Sequence, residues 1–339
     1  MNRLKKYIIA NLSALFISIF IPLFSIASVI FLVKLAAYTA VIKLDIFEMG
    51  KLYLFVLPEI LFFTLPISFF IAATLSIFKL SNDNEIVVIF ALGIKPIFII
   101  KTLFKPALLL SSLLFFNFLI LFPHTTVLSD NFKDYKKSQA KFNLSASEFG
   151  HKFGDWLLYI GKKNSDGTFG DVFLFNKNKK EEILISARNA EVINDLGILR
   201  LKLYNGEGYS YSKEKFSQIN FEIMFINDTM DIDQTKYRSP LEYWLSKDRA
   251  SSKREMMITD TLLSLFPIIS LFLIASMGVV HARHQKSRVY LYLFIGVILF
   301  FGSALGLQDI FAYYTIPIVA LTWLIGSYII YRKTIVARF

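Results

Sequence analysis

Several charged side chains of this sequence stand where charge is costly. Glu59 and Asp260 fall inside long apolar runs, Lys34 closes another, and Glu85 opens a run of seven apolar residues, 86–92. Ionisable groups in such places pair, orient or gate, because an uncompensated charge there is unfavourable. The sequence carries no GxxxxGK[ST] phosphate loop, no HExxH and no GxSxG. It has no cysteine, which excludes disulfides, thiolate chemistry and cysteine-based metal sites. The chemistry open to these residues is electrostatic attachment, and neither a metal nor a cofactor is expected.

The elements that position them are membrane spans. Of 339 residues, 55% are hydrophobic, 19% are charged and 35 are Phe. Soluble domains average roughly 45–50% apolar and about 25% charged. The excess lies in runs long enough for a hydrocarbon core of about 30 Å. Six spans are expected, at about 7–33, 52–78, 97–121, 257–280, 289–307 and 311–331. The first follows MNRLKK like a signal peptide, but it is too long for one and no small-residue cleavage site ends it.

Orientation follows from Lys and Arg in the short loops. One side carries Arg3, Lys5, Lys6, Lys79, Lys95, Arg283, Lys286, Arg288, Arg332, Lys333 and Arg338. The other carries Lys34, Lys43 and Lys51, with no basic residue at 308–309. The richer side is expected to be cytoplasmic, with both termini. This bias accounts for much of the net charge of +11, and no nucleic-acid partner is implied.

Residues 81–93, SNDNEIVVIFALG, lie between the second and third spans and are too short to cross. Asn82 with Glu85 approximates a capping box, and Asp83 and Glu85 suit the positive end of a helix dipole. Gly93 supplies a stop, followed by Pro96. A helix of about ten residues, apolar on every face, needs burial. The bilayer surface covers one side; a groove in a cytoplasmic partner covers more.

Residues 123–255 form a polar insert expected to face outward, with 21 basic and 19 acidic residues that nearly cancel. Runs at 156–160, 171–175, 182–186, 198–204 and 219–225 are strand-like, with turn signals at 164–167, 194–197 and Asn205-Gly206. An antiparallel sandwich or open barrel is expected. Its apolar strand faces are either an ordinary core or a surface open to a greasy ligand. The flank 239–254 begins with Pro240 after a plausible N-cap at Ser239, and Leu241, Tyr243, Trp244 and Leu245 suit a membrane interface.

Two readings stay open for the charged residues. Glu59 is a cavity carboxylate that gates or orients, or a group near the headgroups kept tolerable by water. Asp260 is placed at the outer interface. Lys34, Lys43 and Lys51 run against the charge bias, so they meet anionic groups, either the phosphate of a specific lipid or ordinary anionic headgroups.

Residues 57–96 (LPEILFFTLPISFFIAATLSIFKLSNDNEIVVIFALGIKP) resemble the signature of the LptF/LptG permeases of the lipopolysaccharide exporter. The matching positions are Pro66, Leu80, Ser81, Glu85, Ala91 and Gly93, and the SNDNE wording is closer to the LptF member. The resemblance implies six transmembrane helices with an extracytoplasmic, jellyroll-like antiparallel β-domain between the third and fourth. It divides the chain into 1–122, 123–255 and 256–339, with a cytoplasmic coupling helix at 82–93. It implies pairing with a sister permease and binding of a cytoplasmic ABC ATPase dimer, which would hydrolyse the ATP. Asn82, Asp83, Glu85, Ile86, Val87, Phe90, Ala91 and Gly93 would make that contact. It further implies lipopolysaccharide as cargo, its phosphates near Lys34, and a periplasmic bridge component as acceptor. The competing classes are a membrane sensor and a secondary transporter. The first wants a cytoplasmic output domain, the second repeated halves with polar residues at midspan.

Overall fold

The computed structural model describes residues 2–39, 44–141, 149–153, 156–164, 167–177, 181–195, 198–212, 215–227, 239–246, 250–280 and 288–337. The chain is mostly helical, with several apolar helices and an antiparallel sheet. It divides into two units, one of Met1–Ala36, Phe47–Val127 and Tyr237–Phe339, the other of Ala37–Ile46 and Leu128–Lys236.

The helices are α1 (Asn2–Thr39), α2 (Ile46–Asn82), α3 (Glu85–Ala91), α4 (Ile97–Phe116), α5 (Phe122–Lys141), α6 (Pro240–Leu245), α7 (Ala250–Ile269), α8 (Leu271–Gly278), α9 (Val289–Gly306), α10 (Gln308–Phe311) and α11 (Thr315–Tyr331). A π-helical turn, Asn117–Leu121, joins α4 to α5. Among the described residues, Asn2–Ala37, Ile46–Asn82, Ile97–Lys133 and Val289–Val336 are long and apolar enough to cross a membrane. A fifth arises if α7 and α8, bent by 48°, form one span. Pro267 lies just before that bend and removes a backbone donor from the ladder.

In the helical unit α2 is the hub, largely buried, whereas α1 is mostly exposed. An aromatic chain ties α2, α7, α9 and α11 together. Phe70 lies 5.1 Å from Phe266, Phe266 4.2 Å from Phe300, and Phe300 5.1 Å from Trp323. Trp323 donates its indole N–H to Ser270 Oγ at 3.0 Å, at the α7–α8 break. Gly278 lets α8 approach α2 closely: a Cβ there would lie 2.7 Å from that of Ile77.

The second unit holds one sheet of β1 (Phe149–Phe153), β2 (Trp156–Lys163), β3 (Phe169–Lys177), β4 (Glu181–Asp195), β5 (Ile198–Ser212) and β6 (Lys215–Asn227). Each strand pairs antiparallel with the next in sequence. This is a meander without crossovers among the described strands, unlike the crossed-over strand order of a jellyroll. At 164–167 the middle two residues lie outside the described set; Gly167, at φ 87°, donates to Asn164 O at 3.2 Å. At 194–197 the last two residues lie outside the described set. Asn205-Gly206 is no turn: it sits inside β5.

The reason is a line of irregularity crossing five strands. Pairing skips Gly161, Asp171, Arg188, Asn205 and Glu222, each opposite the next. Asp171 and Asn205 hold φ of 54° and 49°. Across this line the alternation changes phase: the buried residues run Val172 then Phe169 on β3, and Ala187 then Ala190 on β4. Pairing resumes in the same register beyond the line, so one residue per strand drops out of the ladder; a β-bulge differs, because there two residues oppose one. The apolar face so formed is a core of strand residues, among them Leu158, Val172, Leu174, Ile185, Leu201 and Leu203. The opposite face is also greasy, exposing Leu157, Phe173, Leu184, Ile223 and Phe225.

Candidate functional site

The segment between α2 and α4 is a tight elbow. α2 runs unbroken through Ser81 to Asn82, so Asn82 ends a helix and caps none. The chain then reverses at Asn84, whose φ of 61° is left-handed, a conformation Asn tolerates through its short polar side chain. Asn84 is the N-cap of α3 without a side-chain cap bond, which replaces the capping box expected from Asn82 and Glu85. Two helices in series leave no extended residue to cap the second.

The far end matches expectation. Gly93, at φ 79°, donates to Phe90 O at 2.9 Å, and Ile94 donates to Ile89 O at 3.4 Å. These two bonds make a Schellman stop. The helix thus spans seven residues, Glu85–Ala91, rather than about ten.

Its faces are unequal. Ile86 is 1% exposed and belongs to the main helical core; Ile89 is also buried. Val87 and Phe90 are half-buried, while Val88, Ala91 and Leu92 are exposed. The helix therefore satisfies half of its own burial, and the need for external cover falls on a stripe spaced i, i+3, i+4. Among the residues singled out from sequence, Ile86 faces inward. Val88 and Leu92 were missed, because a run of seven apolar residues carries no periodic signal. Asp83 and Gly93 are exposed.

Contacts at the elbow and its flanks tie it to the helical unit. Tyr7 on α1 donates to Glu85 Oε1 at 2.9 Å. Ser81 Oγ accepts from Val280 N at 3.1 Å, linking the end of α2 to the residues after α8. Lys5 lies 5.8 Å from the ring centroid of Phe98 at the start of α4.

Of the lysines expected to meet phosphate, two lie among the described residues. Lys34 is exposed on α1, its Nζ 5.0 Å from the Phe31 ring centroid. Lys51 is exposed near the start of α2, and Lys43 lies outside the described residues. Glu59 and Asp260 share one cavity between α2 and α7. Asp260 is 9% exposed. No local pattern could show that the two carboxylates share a cavity, since 201 positions separate them.

The capping box expected at Ser239 forms: Glu242 N donates to Ser239 Oγ at 3.3 Å and Ser239 N to Glu242 Oε2 at 3.2 Å. Helix α6 then docks on the π-helical turn, with Trp244 Nε1 donating to Leu119 O at 3.4 Å and its ring 5.0 Å from Phe118.

A comparison with curated proteins finds no match. The family model described as lipopolysaccharide export system permease LptF/LptG matches residues 6–330, nearly the whole chain, and the chain belongs to that family of multi-pass, non-catalytic permease subunits.

Proposed function

We propose that this permease works as the membrane half of an ATP-driven lipopolysaccharide extractor, with α3 as its coupling helix. The observation that carries the reading is the exposed stripe Val88, Ala91 and Leu92 beside Glu85, on a helix otherwise rooted in the permease core. A cytoplasmic ABC ATPase dimer would cover that stripe and push on it. Because Ile86 is embedded in the helical core, the push would reach the helical unit directly.

Six spans fit this reading. Val289–Val336 holds 48 residues, about 72 Å at 1.5 Å per residue, more than twice a hydrocarbon core. It is interrupted at α10 and at Ala312, whose φ is 47°, and α9 and α11 pack on each other. Two spans joined by a tight outer turn account for this, and α7 with α8 supply a broken one. On the charge bias of the loops, both termini and α3 would be cytoplasmic and the sheet periplasmic.

The exposed length of α1 would meet a sister permease, and Lys34, Lys43 and Lys51 would meet lipid phosphates near the outer leaflet. A sheet apolar on both faces needs cover on both. Lipid chains and a periplasmic bridge component would supply it.

The test is co-purification. Permease carrying Val88→Asp or Glu85→Arg should insert normally yet lose the ATPase and fail to deliver lipopolysaccharide to the cell surface. Normal ATPase recovery and normal surface lipopolysaccharide in both variants would overturn the coupling role.

A further inference from the structure

We propose that Lys101 and Lys105 on α4 form a headgroup site for one anionic phospholipid, of the phosphatidylglycerol class, whose acyl chains lie along the apolar stripe beyond them. The site goes beyond the export reading and requires neither lipopolysaccharide nor ATPase, so its failure would leave that reading untouched.

Both lysines stand on the exposed face of an apolar helix. Phe104 lies between them, and beyond Lys105 the exposed residues are Leu108, Leu109, Leu113 and Phe116. Four residues apart, the lysines are neighbours on the helix surface, about 6 Å along its axis. Ile97 opens α4, so they sit about 6 Å and 12 Å into it. A lysine near a helix end lays its stem along apolar surface and carries its ammonium toward the interface. The two ammonium groups therefore reach the headgroup layer nearest the start of α4, while the farther half of the helix holds no charge.

The chain supplies these cations with no counter-ion. Among the described residues, neither ammonium has an ion pair or a hydrogen bond. α4 holds no acidic residue, and neither does α8, against which it packs. Its other main neighbour, α7, holds Glu255 and Asp260. Asp260 and Met256, next to Glu255, line one cavity with Asn117, which follows α4 and lies about 18 Å along the axis from Lys105. Those acids therefore belong to the other end of α4. Lys95, exposed just before α4, and Lys5, 5.8 Å from the Phe98 ring centroid, add positive charge at the lysine end.

The occupant must join an anion to long apolar chains. A free phosphate would satisfy the lysines and leave the Leu and Phe stripe bare. A zwitterionic lipid would bring its own cation against the ammonium groups. An anionic phospholipid meets both demands: its phosphate takes the point charges of the lysines, and its chains cover the stripe. Basic clusters at the ends of spanning helices bind anionic headgroups in this way. Each lysine near such a headgroup strengthens binding about fivefold, so the pair should give a preference over phosphatidylcholine on the order of 25-fold.

The experiment uses the full chain, delipidated in neutral detergent. Phosphatidylglycerol or phosphatidylcholine is added, and bound lipid is counted by native mass spectrometry. The expected result is a first phosphatidylglycerol bound about 25-fold more tightly than phosphatidylcholine. The double variant Lys101→Gln, Lys105→Gln should lose that preference, and Lys101→Arg, Lys105→Arg should keep it. Arg332→Gln, Lys333→Gln removes the same charge elsewhere and should keep it too. If the glutamine pair fails to fold, a photoreactive side chain at Leu108 in the otherwise wild-type chain remains informative. It should crosslink phosphatidylglycerol in preference to phosphatidylcholine, and equal crosslinking of the two overturns the inference. Equal affinity of the wild type for the two lipids also overturns it, as does an unchanged preference in the glutamine pair. An unchanged preference with loss of association between permease chains would assign the lysines to a protein contact instead. Loss of preference in Arg332→Gln, Lys333→Gln to the same degree as in the glutamine pair would mean diffuse attraction to net charge, and no site on α4.

Discussion

Tyr7 donates its phenolic hydroxyl to Glu85 Oε1 across 2.9 Å, tying the first turns of α1 to the first residue of α3. The carboxylate proposed to meet the ATPase therefore already has an intramolecular partner. The bond is solvent-exposed, so its contribution lies near the low end of the 0.5–1.5 kcal/mol typical of a net hydrogen bond. Tyr7→Phe should leave the protein folded and weaken ATPase recovery by a few fold. Glu85→Gln keeps the acceptor and loses only the charge. If charge is what the ATPase reads, Glu85→Gln should be the more damaging of the two in quantitative pull-downs.

The unequal faces of α3 give a second prediction. Ile86→Ala removes a side chain from the helical core and should cost about 2–5 kcal/mol, seen as a lower unfolding midpoint. Val88→Ala and Leu92→Ala should leave that midpoint within the ordinary scatter of surface changes, about 0.5 kcal/mol, while reducing ATPase recovery. Equal loss of stability in all three would mean that the stripe is packed inside the permease.

These faces also mark how far the sequence could be read. Apolar runs, basic loops and the Ser239 capping box act locally, so the helices, the insert and the entry to α6 were legible. The strong turn signal at Asn205-Gly206 was misread because Asn at positive φ serves an in-strand kink as well as a hairpin. Asn82 was misread as a cap because nothing in its neighbourhood says that α2 continues to it. The meeting of Glu59 with Asp260, and of Ser81 with Val280, depends on which helices pack together. No local pattern carries that information.

The kink in the sheet yields a third prediction. A Cβ on Gly206 would lie 2.2 Å from Ser186 O and 2.5 Å from the Phe221 ring. Backbone cannot yield as a flexible side chain can, so Gly206→Ala should destabilise the sheet by about 1–3 kcal/mol. Asn205→Gly removes the strain of positive φ and should be tolerated, whereas Asn205→Val should cost about 1–2 kcal/mol. Limited proteolysis of the full chain, followed by mapping of cuts within 149–227, separates these outcomes. Equal resistance in all three variants would rule out the kink as a structural requirement.

Lys253 gives the last. It is 9% exposed and donates to Tyr243 O at 2.9 Å and to Ser246 Oγ, with its Nζ 4.5 Å from the Tyr243 ring centroid. One ammonium group thus fixes the end of α6 to the start of α7, where the chain enters the fourth expected span. A hydrogen bond from a charged donor contributes about 1.5–3 kcal/mol, and the ring adds about 0.5–1 kcal/mol when partly exposed. Lys253→Met keeps the apolar stem, so any effect reports the head group. It should release α6 from α7, quicken protease cleavage at 246–250 and lower the unfolding midpoint of the helical unit. Arg is wider and flatter than the ammonium and should not restore protection. Cleavage at the wild-type rate in Lys253→Met would show that Trp244 on Leu119 and Phe118 is enough to hold α6 in place.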